Sequence, residues 1–123
     1  MVHPDTNFLI AALQPGTPEE SQLRQWLVSG EQLGLSTVAW AEFLCGPLAS
    51  ADQQLAETLF SSIEPLLSVD AARGAELFNL TGRRSRSLAD CLIAAVALRC
   101  GAAVATANRD DFDPFVPYGL TLV

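Results

Sequence analysis

The chain contains no lysine at all and a single histidine, His3. Without lysine there is no Gly-rich phosphate loop ending in Gly-Lys-Ser/Thr. The same absence counts against phospho-accepting α/β domains such as response-regulator receivers and haloacid-dehalogenase-like phosphatases, which place a lysine beside the phosphoryl group. One histidine at the start of an apolar segment cannot complete a Ser or Cys triad. The three cysteines, Cys45, Cys91 and Cys100, are an odd number with no paired metal-ligand spacing. They read as neither a disulfide framework nor a zinc site, and Cys45 and Cys91 are expected as small core hydrophobes. No apolar run approaches the roughly 20 residues that span a bilayer, so no membrane partner is expected. No basic region precedes an apolar stretch at the start, so no secretory leader is expected and the cytoplasm is the default location.

What is present is apolar and acidic. Half of the 123 residues are hydrophobic, enough for one folded domain over residues 1–123. The net charge is -7, from 14 acids against 7 arginines. Taken alone, that balance opposes a nucleic-acid partner, because phosphates need positive charge. The distribution is more informative, since three arginines fall together in Arg83-Arg84-Ser85-Arg86.

The pattern along the chain alternates short apolar segments with helical ones. Val2 to Ile10 is an apolar segment broken by Asp5-Thr6-Asn7. Thr17 caps a helix that starts with Pro18 and runs to about Val28. Leu33 to Ser36 reads as a strand, Thr37 to Cys45 as a helix stopped by Gly46-Pro47, and Ser50 to Ser61 as a second helix. Leu66 to Val69 reads as a strand, after which Asp70 caps a helix ending at Gly82. Ser87 is expected to cap a helix that closes at Gly101, with a capping box to Asp90. Ala102 to Thr106 and Leu120 to Val123 complete the strands, with an irregular Pro114 to Gly119 between them. Strands alternating with helices predict an α/β domain with a mostly parallel sheet covered on both faces. Ligand sites in such sheets lie beyond the carboxyl ends of the strands.

The acids fall at those ends. Asp5 follows the first segment, Glu42 is the only charge in Thr37-Val-Ala-Trp-Ala-Glu-Phe, and Asp90 opens an apolar helix. Asn108, Asp110, Asp111 and Asp113 follow a later strand. Each has a structural reading of its own: a turn for Asp5-Thr6-Asn7, a cap for Asp90, a solvated face for Glu42 and a solvated loop for the later acids and for the arginines. As a set they have another, because converging carboxylates repel unless a cation sits among them, and oxygen-only ligands select Mg2+ or Mn2+.

Asp5-Thr6-Asn7, Val38-Ala-Trp-Ala-Glu-Phe43, Leu88-Ala-Asp-Cys-Leu-Ile-Ala-Ala95 and Thr106-Ala-Asn-Arg-Asp-Asp-Phe112 together resemble the motifs of PIN-domain ribonucleases, and of the VapC-type toxins of bacterial toxin–antitoxin pairs in particular. The resemblance covers the whole chain. It implies a three-layer α/β/α sandwich and Mg2+- or Mn2+-dependent endoribonuclease activity, often on tRNA or ribosomal RNA. It implies a catalytic set of Asp5, Glu42, Asp90 and Asn108, with Asp5, Asp90 and Glu42 as metal ligands. Asn108 stands where many members carry Asp, and Asp111 is expected to share that role. Thr6, Asn7 and Thr106 line the implied site, while Arg83, Arg84, Arg86 and Arg109 are the candidates to hold RNA. The same resemblance implies a homodimer and a VapB-like antitoxin partner. Two alternatives remain open at the level of sequence: a non-catalytic PIN-like module that binds RNA or protein, and a small metal-dependent phosphohydrolase. Pro4 also remains open, because a central strand would lose a ladder donor there.

Overall fold

A computed structural model describes residues 1–123, the side chain of Arg86 excepted. In chain order the elements are β1 (Val2–Pro4), α1 (Thr6–Ala12), α2 (Pro18–Ser29), β2 (Gly34–Ser36), α3 (Thr37–Leu44), α4 (Ser50–Leu59), β3 (Ser62–Glu64), α5 (Ser68–Leu80), α6 (Leu88–Cys100) and β4 (Ala103–Ala105). Short 3-10 turns cover Ser85–Ser87, Arg109–Asp111 and Asp113–Tyr118.

All strand pairing is parallel. β1 pairs with β4 and β2 with β3, and a bridge between Val2 and Leu33 joins the two pairs in the order β3–β2–β1–β4. Leu122 adds one further bridge to Val104. The sheet buries apolar side chains on both faces. On one face Val2, Leu33 and Ala105 pack with Phe8 and Ala12 of α1 and with Leu23 and Trp26 of α2. On the other, Leu35 and Val104 join Ala39, Phe43, Leu77 and the apolar run Cys91, Ile93, Ala94 and Ala97. The result is the expected three-layer α/β/α sandwich, with α6 almost wholly enclosed because its residues are small and apolar nearly all round.

Pro4 is accommodated by the pairing geometry. Successive backbone N–H groups of a strand point to opposite neighbours. The Val2 N–H donates toward β2, to Gln32, and the Asp5 N–H donates toward β4, to Ala105 at 2.8 Å. The missing Pro4 donor therefore falls on the β2 side, beyond the single Val2–Leu33 bridge.

Several sequence expectations need correction. Val2 to Ile10 is not one broken segment: Asp5 is the N-cap of α1, its side chain accepting from the Phe8 N–H. The third strand is Ser62–Glu64 rather than Leu66 to Val69; the latter leads into α5, with Leu66, Leu67 and Val69 exposed. Asp70 is the third residue of α5, not its cap. It accepts from the Leu67 N–H at 2.9 Å and pairs with Arg99, whose Nε lies 2.9 Å from Oδ1. Leu120 to Val123 contributes a bridge, not a strand, and Pro114 to Gly119 belongs to a 3-10 turn. Cys45 is exposed, whereas Cys91 is buried as expected. No helix among the described residues is long and apolar enough to cross a membrane.

Candidate functional site

The carboxyl ends of β1 and β4 lie side by side, and they deliver Asp5 and Thr106 to the same point. Asp5 is buried, and both of its carboxylate oxygens are engaged. Oδ1 accepts from the Phe8 N–H at 2.7 Å, and Oδ2 accepts from the Thr106 hydroxyl at 2.6 Å. Thr106 accepts in turn from the Asn108 N–H at 3.0 Å, which turns the chain after β4 back toward the site. These bonds favour the charged form of Asp5, yet its pKa lies above the ordinary carboxylate range. Burial is the largest cause, and the nearby Asp111 and Glu42 add to it.

Glu42 comes from α3. The buried Ser36 at the end of β2 caps that helix, accepting from the Ala39 N–H at 3.1 Å. The Thr6 hydroxyl donates to Glu42 Oε1 at 2.7 Å, so the first turn of α1 holds the exposed carboxylate in place. Asp111 lies in the turn after β4 and accepts from the Asn108 side-chain amide at 3.1 Å. Asn108, neutral and standing at the expected fourth acidic position, thus orients an acid three residues on.

Asp90 stands in the first turn of α6, and the expected capping box does not form. Ser87 sits at φ -96 and ψ -2 with no side-chain cap bond, and its hydroxyl donates instead to the Arg84 carbonyl at 2.8 Å. Asp90 has no hydrogen bond among the described residues. Its pKa is pushed up to about 7, by burial first and then by Asp111, Glu42 and Asp5 in that order. Four carboxylates on four elements therefore lie within one another's fields.

The donor set fits a hard divalent cation: carboxylate oxygens, one amide and two hydroxyls, with no imidazole among them. His3 turns away toward Gly34, and burial keeps the neighbouring Cys91 thiol protonated by raising its pKa. The carboxylates do not close into a ready-made cage; among the described residues no three potential ligands stand at metal-holding distances.

Seven of the expected site residues thus meet: Asp5, Thr6, Glu42, Asp90, Thr106, Asn108 and Asp111. Asn7 does not join them; it is exposed, and its side chain makes no hydrogen bond among the described residues. Arg84 lines a cavity of about 230 Å3 that it shares with Asp90, Asp110 and Asp111. Arg83 is exposed and adopts the left-handed region at φ 56, directly after Gly82 at φ 96. Arg109 lies 3.9 Å from Asp113, a long contact between exposed groups. The Arg86 side chain falls outside the described residues. Sequence reasoning missed the Phe8 N–H, a donor signalled only by the N-cap spacing Asp5 to Phe8. It also passed over Thr81 and read Ser87 only as a helix cap, although both line the Arg84 cavity.

Residues 2–114 match the PIN domain family, and the chain belongs to that family. No curated protein sequence matches it. Among solved structures it is similar to FitAcB from Neisseria gonorrhoeae, at 24% identity and a TM-score of 0.72, covering 99% of this chain and 96% of that one. It is also similar to VapBC2 from Rickettsia felis, bound to a DNA fragment from their promoter. There the identity is 18% and the TM-score 0.75, covering 100% and 98% of the two chains. VapC20 from Mycobacterium tuberculosis, a sarcin-ricin loop cleaving toxin, is 18% identical with a TM-score of 0.69, covering 100% and 98%. At these identities the likeness shows the fold.

Proposed function

We propose that this chain is the toxin of a VapBC-type toxin–antitoxin pair, a Mg2+- or Mn2+-dependent endoribonuclease acting on tRNA or ribosomal RNA. The observation that carries the reading is Asp90. It is a half-buried carboxylate whose pKa is raised to about 7, by burial first and then by three neighbouring acids, and it has no ion pair among the described residues. Such a cluster is relieved by a cation, and its oxygen-only donors suit Mg2+. Membership of the PIN family and the fold shared with VapC20 support the nuclease reading.

Asp5, Asp90 and Glu42 are the residues that would hold the ion. A bound Mg2+ would supply charge neutralisation at the scissile phosphate and a lowered pKa for the attacking water. Asp90 or Glu42 would be the carboxylate placed to take up a proton there. Thr106 and the Phe8 N–H fix the plane of the Asp5 carboxylate, Thr6 fixes Glu42, and Asn108 fixes Asp111. Arg83, Arg86 and Arg109 would hold RNA phosphates around the acidic pocket, and Arg84 would bind RNA from the cavity beside it, which answers the charge objection: the acids face a cation and the arginines flank them.

The antitoxin has a place to lie. A cavity of about 400 Å3 lies between α1, α2 and α4, lined mainly by Ala12, Leu13, Leu23, Leu27, Leu55 and Leu59 with Glu20 and Arg24 at its wall. Its apolar lining suits an apolar helical segment of a VapB-like partner. A homodimer in the cytoplasm completes the reading.

The test is cleavage of structured RNA by the purified protein. Cleavage with Mg2+ that is lost on chelation and in Asp5→Asn is the expected result. Cleavage that persists in Asp5→Asn overturns the assignment.

A further inference from the structure

The cavity beside the acidic cluster has a composition that a metal site alone does not require. It holds about 230 Å3, and Thr81, Arg84, Ser87, Asp90, Asp110 and Asp111 contribute its polar wall. Pro114 and Phe115 supply an apolar side. Asp90 and Asp111 belong to the cluster described above; Asp110 and Arg84 do not. Both are exposed, and neither is engaged in an ion pair or a side-chain hydrogen bond among the described residues. The cavity therefore begins where the phosphodiester would be cut and extends away from it past two uncommitted groups of opposite charge.

Charge decides what can enter. Three carboxylates face one guanidinium, so a second phosphate is repelled, while a neutral group with hydrogen-bond donors is attracted. On an RNA strand lying across Asp90, the neutral group next to the scissile phosphate is a base. Recognition needs donors for Asp110 and acceptors for Arg84. Guanine offers two adjacent donors, N1–H and the N2 amine, for one carboxylate. It also offers O6 and N7 for one guanidinium, the pairing by which arginine most often reads a base. Cytosine and adenine each present one exocyclic amine and cannot satisfy the carboxylate twice. The exposed Pro114, backed by the buried Phe115, offers an apolar contact for the face of a base.

We infer that this cavity is a base-selecting subsite that accepts a guanine flanking the cleaved bond, with Asp110 and Arg84 as its specificity-determining residues. The inference rests on the proposed ribonuclease activity for its biological meaning but not for its test. The first arm is binding without chemistry. The metal-free protein, labelled with 15N, is titrated with the uncharged nucleosides guanosine, inosine, adenosine and cytidine. Guanosine is expected to shift the backbone amides of Thr81, Arg84 and Asp110. Inosine, lacking only the N2 amine, is expected to bind about tenfold more weakly, one hydrogen bond to a charged group. The second arm is cleavage of oligoribonucleotides that differ only at the base beside the cleaved bond. A guanine preference that collapses toward unity in Asp110→Ala, while Asp110→Glu keeps part of it, is expected.

Equal binding of all four nucleosides, or none, overturns the subsite. Base-indifferent cleavage overturns it too and leaves the ribonuclease reading standing. Selective guanosine binding with no RNA cleavage leaves the subsite standing and overturns the ribonuclease.

Discussion

Deprotonating Asp90 adds a charge where three carboxylates already act on it, and the pH dependence of the metal-free protein should show this. The folded pKa of about 7 lies above the unfolded value, so the folded state holds the extra proton between about pH 4 and pH 7. Stability from this residue is therefore greatest in acid and is lost as pH rises toward 7. Asp5, also raised, acts in the same direction. His3 acts in the opposite one: burial lowers its pKa, so its contribution is lost as pH falls below the unfolded value near 6.5. Asp90→Asn should stabilise the metal-free protein at about pH 8 by roughly 1–3 kcal/mol, the size of the shift discounted for solvent screening. It should also flatten the acid side of the stability profile and abolish cleavage; chemical denaturation across pH measures the first two. Thr106→Val removes the hydroxyl that favours the Asp5 carboxylate. Its Asp5 should titrate higher still by 13C NMR, with a loss of about 1–2 kcal/mol from the broken charged hydrogen bond. Arg83 occupies a left-handed conformation that suits glycine. Arg83→Gly should raise stability by up to about 1 kcal/mol while weakening RNA binding, so affinity and melting temperature move in opposite senses.

Among the elements, β1 and β2 meet through a glycine. A Cβ at Gly34 would stand 2.5 Å from Nε2 of His3, which is fully buried with neither ring nitrogen bonded to any described residue. Gly34→Ala must displace that ring from the strand that carries Asp5. A loss of about 1–3 kcal/mol in thermal or denaturant unfolding is expected, with activity falling alongside. The helices and strands that place the site were legible in the sequence to different degrees. The carboxylates stood out because acids are rare in buried segments and these mark segment ends. α1 was not legible: Asp5, Thr6 and Asn7 all favour local turns, and only the structure shows that Asp5 alone caps while Thr6 and Asn7 enter the helix. β3 was displaced because Leu66, Leu67 and Val69 look like a strand, whereas the real edge strand Ser62–Glu64 is short and polar at both ends. The Ser87–Asp90 box failed because the chain enters α6 through a 3-10 turn, which no spacing rule reveals.

For the chain as a whole, part of the excess of acid is concentrated in one place. Asp5, Glu42, Asp90, Asp110 and Asp111 gather at the carboxyl end of a parallel sheet, where α/β folds bind ligands, and Arg84 lines the cavity beside them. The sheet, its two covered faces and the buried α6 serve to hold four carboxylates from four elements within each other's fields. The most direct test is calorimetric titration of the metal-free protein with Mn2+, at about pH 6 and about pH 8, with Asp90→Asn alongside. Binding that releases protons at the lower pH, releases few at the higher, and is lost in Asp90→Asn is the expected result. The absence of any Mn2+ binding at millimolar concentration, or equal binding by Asp90→Asn, would contradict it.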